Sequence, residues 1–395
     1  MRVMVANYNA RRVGGVETYL QALLPALAER VTQLALMTRA DGDPGPGGVP
    51  GPGVEWLAGA GDTPEALADT AARWRPDVVY THGLGLPKFD MALAERFPTV
   101  YFMHNHGGLC ASLTKCHKFP SPQPCTRTLG VGCLALWYPR RCGGLNPVRA
   151  VQSYRTEMAR LHTLKTVRAV AVASRYMVDE MVRNGVPAAR VHLVPLFPTG
   201  DGPDPAPPVL RERTGRILFV GRITAPKGWS HLLAALPPAA AQLGRPLTLV
   251  VAGDGPDQDR FETEARRRGV PAEFLGWVDS DRRQAEMRAA DLLVVPSVAP
   301  EGFGLVGIEG GCVGLPAVAY AVGGIPDWLT PGVSGESAPG DRPDPRELAA
   351  AIVRALADPG HWQKLRVGAW ETARRFSPEA HLDRLVPILQ SAAGS

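Results

Sequence analysis

A chain of 395 residues exceeds one ordinary domain, and 45% hydrophobic residues against 21% charged ones supply apolar surface for two cores. A mean hydropathy of -0.06, with 38 prolines and 43 glycines in bounded clusters and no Gly-X-Y period, excludes disordered, collagen-like and small stapled chains. The formal charge of +5 is too small for a dedicated nucleic-acid binder, whereas phosphorylated small molecules or an anionic surface suit it. No apolar run reaches the roughly 18 residues needed to cross a bilayer. The apolar start breaks at Asn7, Tyr8 and Asn9, so no signal peptide is expected and a cytoplasmic protein is, with peripheral membrane contact left open.

The first strand is predicted over 3–6. Gly14 and Gly15 follow its loop, and Val16 with Glu17 opens a helix, where backbone amides and a helix N-terminus favour an anion such as phosphate. In that helix Val16, Tyr19, Leu20, Leu23, Leu24 and Leu27 recur at helical spacing, and Pro25 should bend it. A Pro/Gly-rich loop over 41–53 reads as an exposed excursion. Strands follow at 78–80 and 100–103, the latter ending at His104 with His106 close behind. A lone histidine after a strand is commonly structural.

An insertion over about 104–145 carries Cys110, Cys116, Cys125, Cys133 and Cys142, with His117 among them. Their gaps lack the close Cys-x-x-Cys pairs of strong zinc sites, and disulfides are uncommon in a reducing compartment. A structural staple, by zinc or by disulfide, stands beside free thiols, and the cluster is expected to be structural. From 127 to 168 the bases Arg140, Arg141, Arg149, Arg155, Arg160 and Lys165 face one acid, Glu157, beside Trp137 and Tyr138. Such a face suits an anionic leaflet, an anionic acceptor or plain solvent.

After a strand at 169–173, the Pro-, Gly- and Asp-rich stretch 198–215 reads as a linker between domains 1–200 and 201–395. Strands at 217–220, 247–252, 291–295 and 317–320 alternate with helices, as in the first half. The class is α/β, with two Rossmann-like domains facing across a cleft that takes the ligand. Gly221 and Arg222 end the first strand of the second half, and Lys227 with Gly228 follows, placing two cations where a diphosphate needs neutralising. Asp279-Ser280-Asp281 follows a strand expected at 273–278 and reads as a helix cap. Glu301, Gly302, Phe303 and Gly304 precede a helix carrying Glu309 and the isolated Cys312, with seven residues between the glutamates. Both carboxylates can accept hydrogen bonds from sugar hydroxyls. Gly307, Gly310 and Gly311 make this a poor solvent helix, since each glycine costs about 1 kcal/mol against alanine. They imply close backbone approach to something.

In order, Gly14-Gly15-Val16-Glu17, the segment from Gly221-Arg222 to Lys227-Gly228, Gly253-Asp254-Gly255-Pro256, Glu301 to Glu309, and Gly323-Gly324-Ile325-Pro326 resemble a retaining glycosyltransferase of family four with the GT-B fold. The resemblance runs over nearly the whole chain and is most specific in the second half. It implies a hexosyltransferase that moves a hexose from a nucleotide diphosphate sugar, of UDP or GDP type, to a hydroxyl of a glycan, lipid-linked sugar or small molecule, as in polysaccharide biosynthesis. The first domain would bind the acceptor and the second the sugar nucleotide, with the last helix packing back on the first.

The same resemblance assigns Arg222 and Lys227 to the donor diphosphate and Glu309 to the ribose. Glu301, with the amides around Phe303 and Gly304, would hold the donor sugar, and His104 would be the active-site histidine, with His106 competing. No cofactor or catalytic metal is required, since the two cations replace one. Gly310 and Gly311 stand where the family has alanine-like residues, and Asp327 replaces its commoner glutamate. A GT-B sugar-nucleotide epimerase and a non-catalytic sugar-nucleotide binder are the alternatives.

Overall fold

The computed structural model describes residues 1–11, 14–39, 49–51, 53–59 and 61–394. Most of the loop expected at 41–53 lies outside these residues. In the first half, strands Arg2–Asn7 (β1), Gln33–Thr38 (β2), Glu55–Leu57 (β3), Val78–Thr81 (β4) and Thr99–Met103 (β5) alternate with helices Gly15–Ala28 (α1), Pro64–Trp74 (α2) and Pro87–Arg96 (α3). The insertion holds the strands Cys116–His117 (β6) and Gln123–Pro124 (β7) and the helix Gly132–Trp137 (α4). Helix Pro147–Thr166 (α5), strand Ala169–Val172 (β8), helix Arg175–Arg183 (α6) and strand Val191–Leu193 (β9) complete that half.

The second half runs through Arg216–Val220 (β10), Trp229–Leu243 (α7), Thr248–Ala252 (β11), Gln258–Arg267 (α8), Ala272–Gly276 (β12), Ser280–Ala289 (α9) and Leu292–Val295 (β13). Leu305–Cys312 (α10), Ala317–Tyr320 (β14), Gly335–Ala338 (β15), Pro345–Leu356 (α11), Pro359–Ala373 (α12) and Pro378–Gly394 (α13) follow. The first large sheet has the order β3-β2-β1-β4-β5-β8-β9 and the second β12-β11-β10-β13-β14-β15. Every pair in both is parallel. Parallel strands need both faces covered, and the fully buried runs of β4, β5, β8, β13 and β14 meet that need. Strand order reverses beside β1 and beside β10, so the crevices at the carboxyl ends of these strands face each other.

Helix α1 buries Tyr19, Leu20, Leu23, Leu24 and Leu27 and continues through Pro25 to Ala28. Strands β2, β3, β9 and β15 were not among the expected strands; β3 and β9 are three residues each, too short to show a period. Strand β12 ends at Gly276, short of the expected 278, because that residue takes φ +67° and turns the chain. Between β9 and β10 the linker is pinned to the second half, where Asp204 N–H donates to Cys312 O (2.8 Å), Trp370 Nε1 donates to Asp204 O (2.8 Å) and Arg211 pairs with Asp291 (3.0 Å). The chain finally returns to the first half through α13, whose His381 meets Tyr19 of α1 (Nε2 to OH, 2.7 Å) and donates from Nδ1 to Pro195 O (2.7 Å).

All five cysteines of the insertion are free, and together with His117 they line one cavity of about 30 Å³. Cys142 Sγ lies 3.7 Å from His117 Nδ1. Among the described residues no group of three or more His, Cys, Asp or Glu side chains is placed to hold a metal ion. Burial pushes the Cys116 and Cys142 thiols up to about 11, so they stay protonated and behave as small apolar groups. A buried ion pair helps to fasten the insertion: Lys115 Nζ lies 2.5 Å from Glu180 Oε2 of α6, with side-chain exposures of 1% and 2%, and also donates to Arg127 O (2.7 Å), while Leu129 N–H donates to Asn184 Oδ1 (2.8 Å).

Candidate functional site

Between the two sheets lies a cavity of about 340 Å³ lined by His104 and Ala173 from the first half and by Gly221, Lys227, Arg283, Ser297, the 301–306 loop and Glu309 from the second. Its walls are the carboxyl ends of β5, β8, β10 and β13. Lys227 closes a short 3-10 turn, and Gly228 leaves that turn at φ +72° to start α7. A Cβ at Gly228 would strike the carbonyl of Pro296, so only glycine lets this turn lie against the loop after β13. Val298 and Ala299 N–H both donate to Pro226 O (3.0 and 3.2 Å), tying the two loops together. The tie places Lys227 Nζ 2.7 Å from Glu301 Oε1, which also accepts the Ser297 hydroxyl.

Glu301 is held from behind as well. Gly324 N–H donates to Glu301 O (2.8 Å), and Gly323, at φ +59°, approaches the Glu301 backbone too closely for any side chain. Burial alone would push the Glu301 carboxyl up. The Lys227 ammonium, with hydrogen bonds from it and Ser297 and with nearby His106, outweighs burial and holds the group below its ordinary value. Glu301 therefore stays an acceptor at neutral pH.

Glu309 lies on α10, where Oε1 accepts from Arg283 Nη2 (3.4 Å) and Thr199 Oγ1 (3.5 Å). Burial raises its pKa, and Arg283 and Thr199 pull it back only in part. Neither partner was anticipated, since Thr199 sits in the linker and Arg283 on the exposed run of α9; no local signal marks them. The α10 glycines are explained by packing within the protein. A Cβ at Gly307 would enter the Trp328 ring, one at Gly311 would press on Ala369 O of α12 (2.8 Å), and one at Gly310 would crowd Leu293 (3.2 Å). Glycine here brings α10 against α12 and the sheet, so the close backbone approach that the sequence implied is to other parts of the protein itself. Phe303 turns inward against Phe376 (centroids 5.6 Å), its carbonyl accepting from Trp328 Nε1 (2.7 Å), while Gly304 starts α10 at φ +82°.

The two histidines separate. His104 lines the cavity and shares a hydrogen bond of 2.8 Å with His82 (Nε2 to Nδ1). Burial, reinforced by His381, pushes His104 down to about 3, so it is neutral in ordinary solution. His106 is buried behind the cavity against Tyr176, with Nε2 unpartnered, and burial followed by Lys115 pushes it down to about 4. Arg222 is exposed and outside the cavity lining, beside Gly221, which lines it. Gly14 and Gly15 are exposed at the start of α1 and also lie outside the lining; α1 reaches the site through Tyr19, whose ring meets that of His104 edge-on (centroids 5.4 Å).

Two contacts close the seam between the halves. Ser174 Oγ donates to Gly302 O (2.6 Å), and Arg175 N–H donates to Asp327 Oδ2 (2.7 Å). Asp327, which departs from the family's commoner glutamate, thus has a defined position. Asp279 caps α9 by accepting from Arg282 N–H (2.8 Å).

Comparison with known proteins gives a family model described as Glycosyl transferases group 1 over residues 204–380 and one described as Glycosyl transferase 4-like domain over 14–196. A 2-deoxystreptamine glucosyltransferase of Streptomyces kanamyceticus is 38% identical over 146 residues, a stretch covering 36% of either chain. A D-inositol 3-phosphate glycosyltransferase of Xylanimonas cellulosilytica is 30% identical over 92% of this chain and 88% of its own. The crystal structure of Anabaena HepE in complex with UDP superposes with a TM-score of 0.70 at 20% identity, covering 99% of this chain and 100% of that one.

Proposed function

The chain belongs to the group 1 glycosyl transferases of GT-B architecture, and from that premise we propose that it is a retaining hexosyltransferase using a nucleotide diphosphate sugar. The observation that carries the reading is the Lys227–Glu301 pair at 2.7 Å in the cleft, with neutral His104 lining it from the other half. A diphosphate entering the cleft takes Lys227 away from Glu301, and Glu301, kept ionised, then accepts from hydroxyls of the donor sugar. Glu309, half-buried and accepting only long hydrogen bonds, holds the ribose hydroxyls. Exposed Arg222 swings in from the rim to the diphosphate.

In the reaction the bond from the anomeric carbon to the diphosphate oxygen breaks, and both electrons leave with the phosphate. The acceptor oxygen attacks the same face, and its proton passes to the departing diphosphate. Negative charge grows on the leaving group, where Lys227 and Arg222 lower the barrier electrostatically and no metal is required. His104 serves as an uncharged hydrogen-bonding group beside the sugar.

Uridine and guanosine diphosphate hexoses are the donors to try, uridine first, because the HepE crystal carries UDP. Incubation with a hydroxyl acceptor should release nucleoside diphosphate and give a product of unchanged anomeric configuration. Inversion at the anomeric carbon overturns the retaining mechanism, and an altered free sugar nucleotide overturns transfer.

We further propose that the acceptor is met at an anionic membrane surface. Between residues 104 and 178 the sequence has one acid, Glu157, which is buried against Arg160 (3.2 Å). Leu145 (82% exposed), Val148 and Val151 stand out beside Arg140, Arg141, Arg149 and Arg155. No helix among the described residues is long and apolar enough to cross a membrane. Binding to anionic vesicles should fall with salt, and equal recovery on neutral vesicles overturns it.

A further inference from the structure

A second cavity, of about 320 Å³, opens on the seam between the halves and shares no lining residue with the cleft. Three guanidinium groups reach it from separate elements: Arg175 from α6, Arg375 from the α12–α13 connection and Arg384 from α13. Among the described residues none of the three has a carboxylate within ion-pair distance, and the only side-chain acceptor given to any of them is Thr372 Oγ1, 3.1 Å from Arg375. The one carboxylate in the wall, Asp327, is engaged by the Arg175 backbone N–H. His381, also in the wall, has both ring nitrogens committed to Tyr19 and Pro195. Three arginines, all exposed at the rim, against one carboxylate thus give a space large enough for a small molecule an excess of positive charge.

We propose that this cavity binds a small phosphorylated effector. Guanidinium forks match phosphoryl oxygens, and three of them from three directions suit a group with several charged oxygens better than a single carboxylate. The placement gives such a ligand a purchase on the cleft. Arg175 follows Ser174, which holds Gly302, and Asp327 follows the Gly323–Pro326 turn that braces Glu301. An anion at the cavity ties α6 of one half to the α12–α13 crossover and stiffens the seam, favouring the arrangement in which His104 faces Glu301.

The test is calorimetric titration of the full chain with pyrophosphate, inorganic phosphate and a sugar phosphomonoester at physiological ionic strength. It is done on Lys227→Ala, so that the cleft does not compete; nucleotide binding of that variant is measured separately and reports on the transferase reading alone. One saturable site is expected, at least 10-fold weaker after Arg175→Ala with Arg384→Ala and weaker still after Arg384→Glu. Arg374→Ala is expected to leave it unchanged, since Arg374 lies over the Trp370 ring (4.6 Å). Tighter binding of pyrophosphate assigns a diphosphate, and tighter binding of the sugar phosphate a monoester. Absence of a saturable site for all three probes, or affinity unchanged in both Arg384→Glu and the double variant with parental melting, overturns the proposal.

Discussion

Two lysine–glutamate pairs of the same chemistry lie on either side of His106, and they do opposite things. Lys115–Glu180 is closed off from water, and Lys227–Glu301 has side-chain exposures of 37% and 16% in an open cavity. In the first, both charges lost hydration on folding and Glu180 answers both buried Lys115 and the half-exposed Arg183 (2.7 Å), so the cluster acts as a fixed clamp on the insertion. In the second, water reaches both partners, and in the proposed function an incoming diphosphate displaces Lys227 from Glu301. Burial, more than residue identity, decides whether such a pair is structural or functional.

Breaking one partner of each pair tests this. Glu180→Leu strands the Lys115 ammonium and should cost about 3–5 kcal/mol in denaturant unfolding, whereas Glu180→Leu with Lys115→Met should recover most of it. A cost for the single variant below about 1 kcal/mol would make the two pairs alike. Lys227→Met, in contrast, should change stability by less than about 1 kcal/mol but lower turnover by about 10²–10³-fold. Parental turnover removes Lys227 from the reaction.

Within the cleft the proposed function divides the two glutamates by what they touch. Glu309→Ala should weaken both donor and bare nucleoside diphosphate by about 10- to 150-fold, the value of a charged hydrogen bond of about 1.5–3 kcal/mol. Glu301→Gln should leave the bare nucleotide nearly unaffected while turnover falls. Calorimetry with both ligands separates the two, and identical profiles would reject the division.

The smallest effect concerns His106, which feels both pairs. Its folded pKa of about 4 lies below the ordinary 6.5, so the unfolded chain takes up the proton first. Its contribution to stability is complete above about pH 6.5 and is lost as pH falls toward 4, at about 1.4 kcal/mol per pH unit. His106→Phe, with no hydrogen bond at Nε2 to lose, should flatten the pH dependence of unfolding by about that slope; an unchanged slope would mean that the ring is protonated in the fold.

The α/β alternation, the two parallel sheets and the glycine-bearing loops at their carboxyl ends were legible in the sequence. Those features depend on short-range stereochemistry: apolar runs bounded by turns, and glycines such as Gly228 and Gly323, whose φ angles near +72° and +59° leave a local mark. The tertiary structure decided what meets across the chain. It chose His104 over His106 for the cleft, gave Glu309 the partners Arg283 and Thr199, and turned the α10 glycines toward Trp328, Ala369 and Leu293. It also paired Lys115 with Glu180, 65 positions apart in sequence. Such pairings leave no mark in local pattern or composition, because the energy that selects them comes from desolvation and fit, which exist only once distant segments have packed.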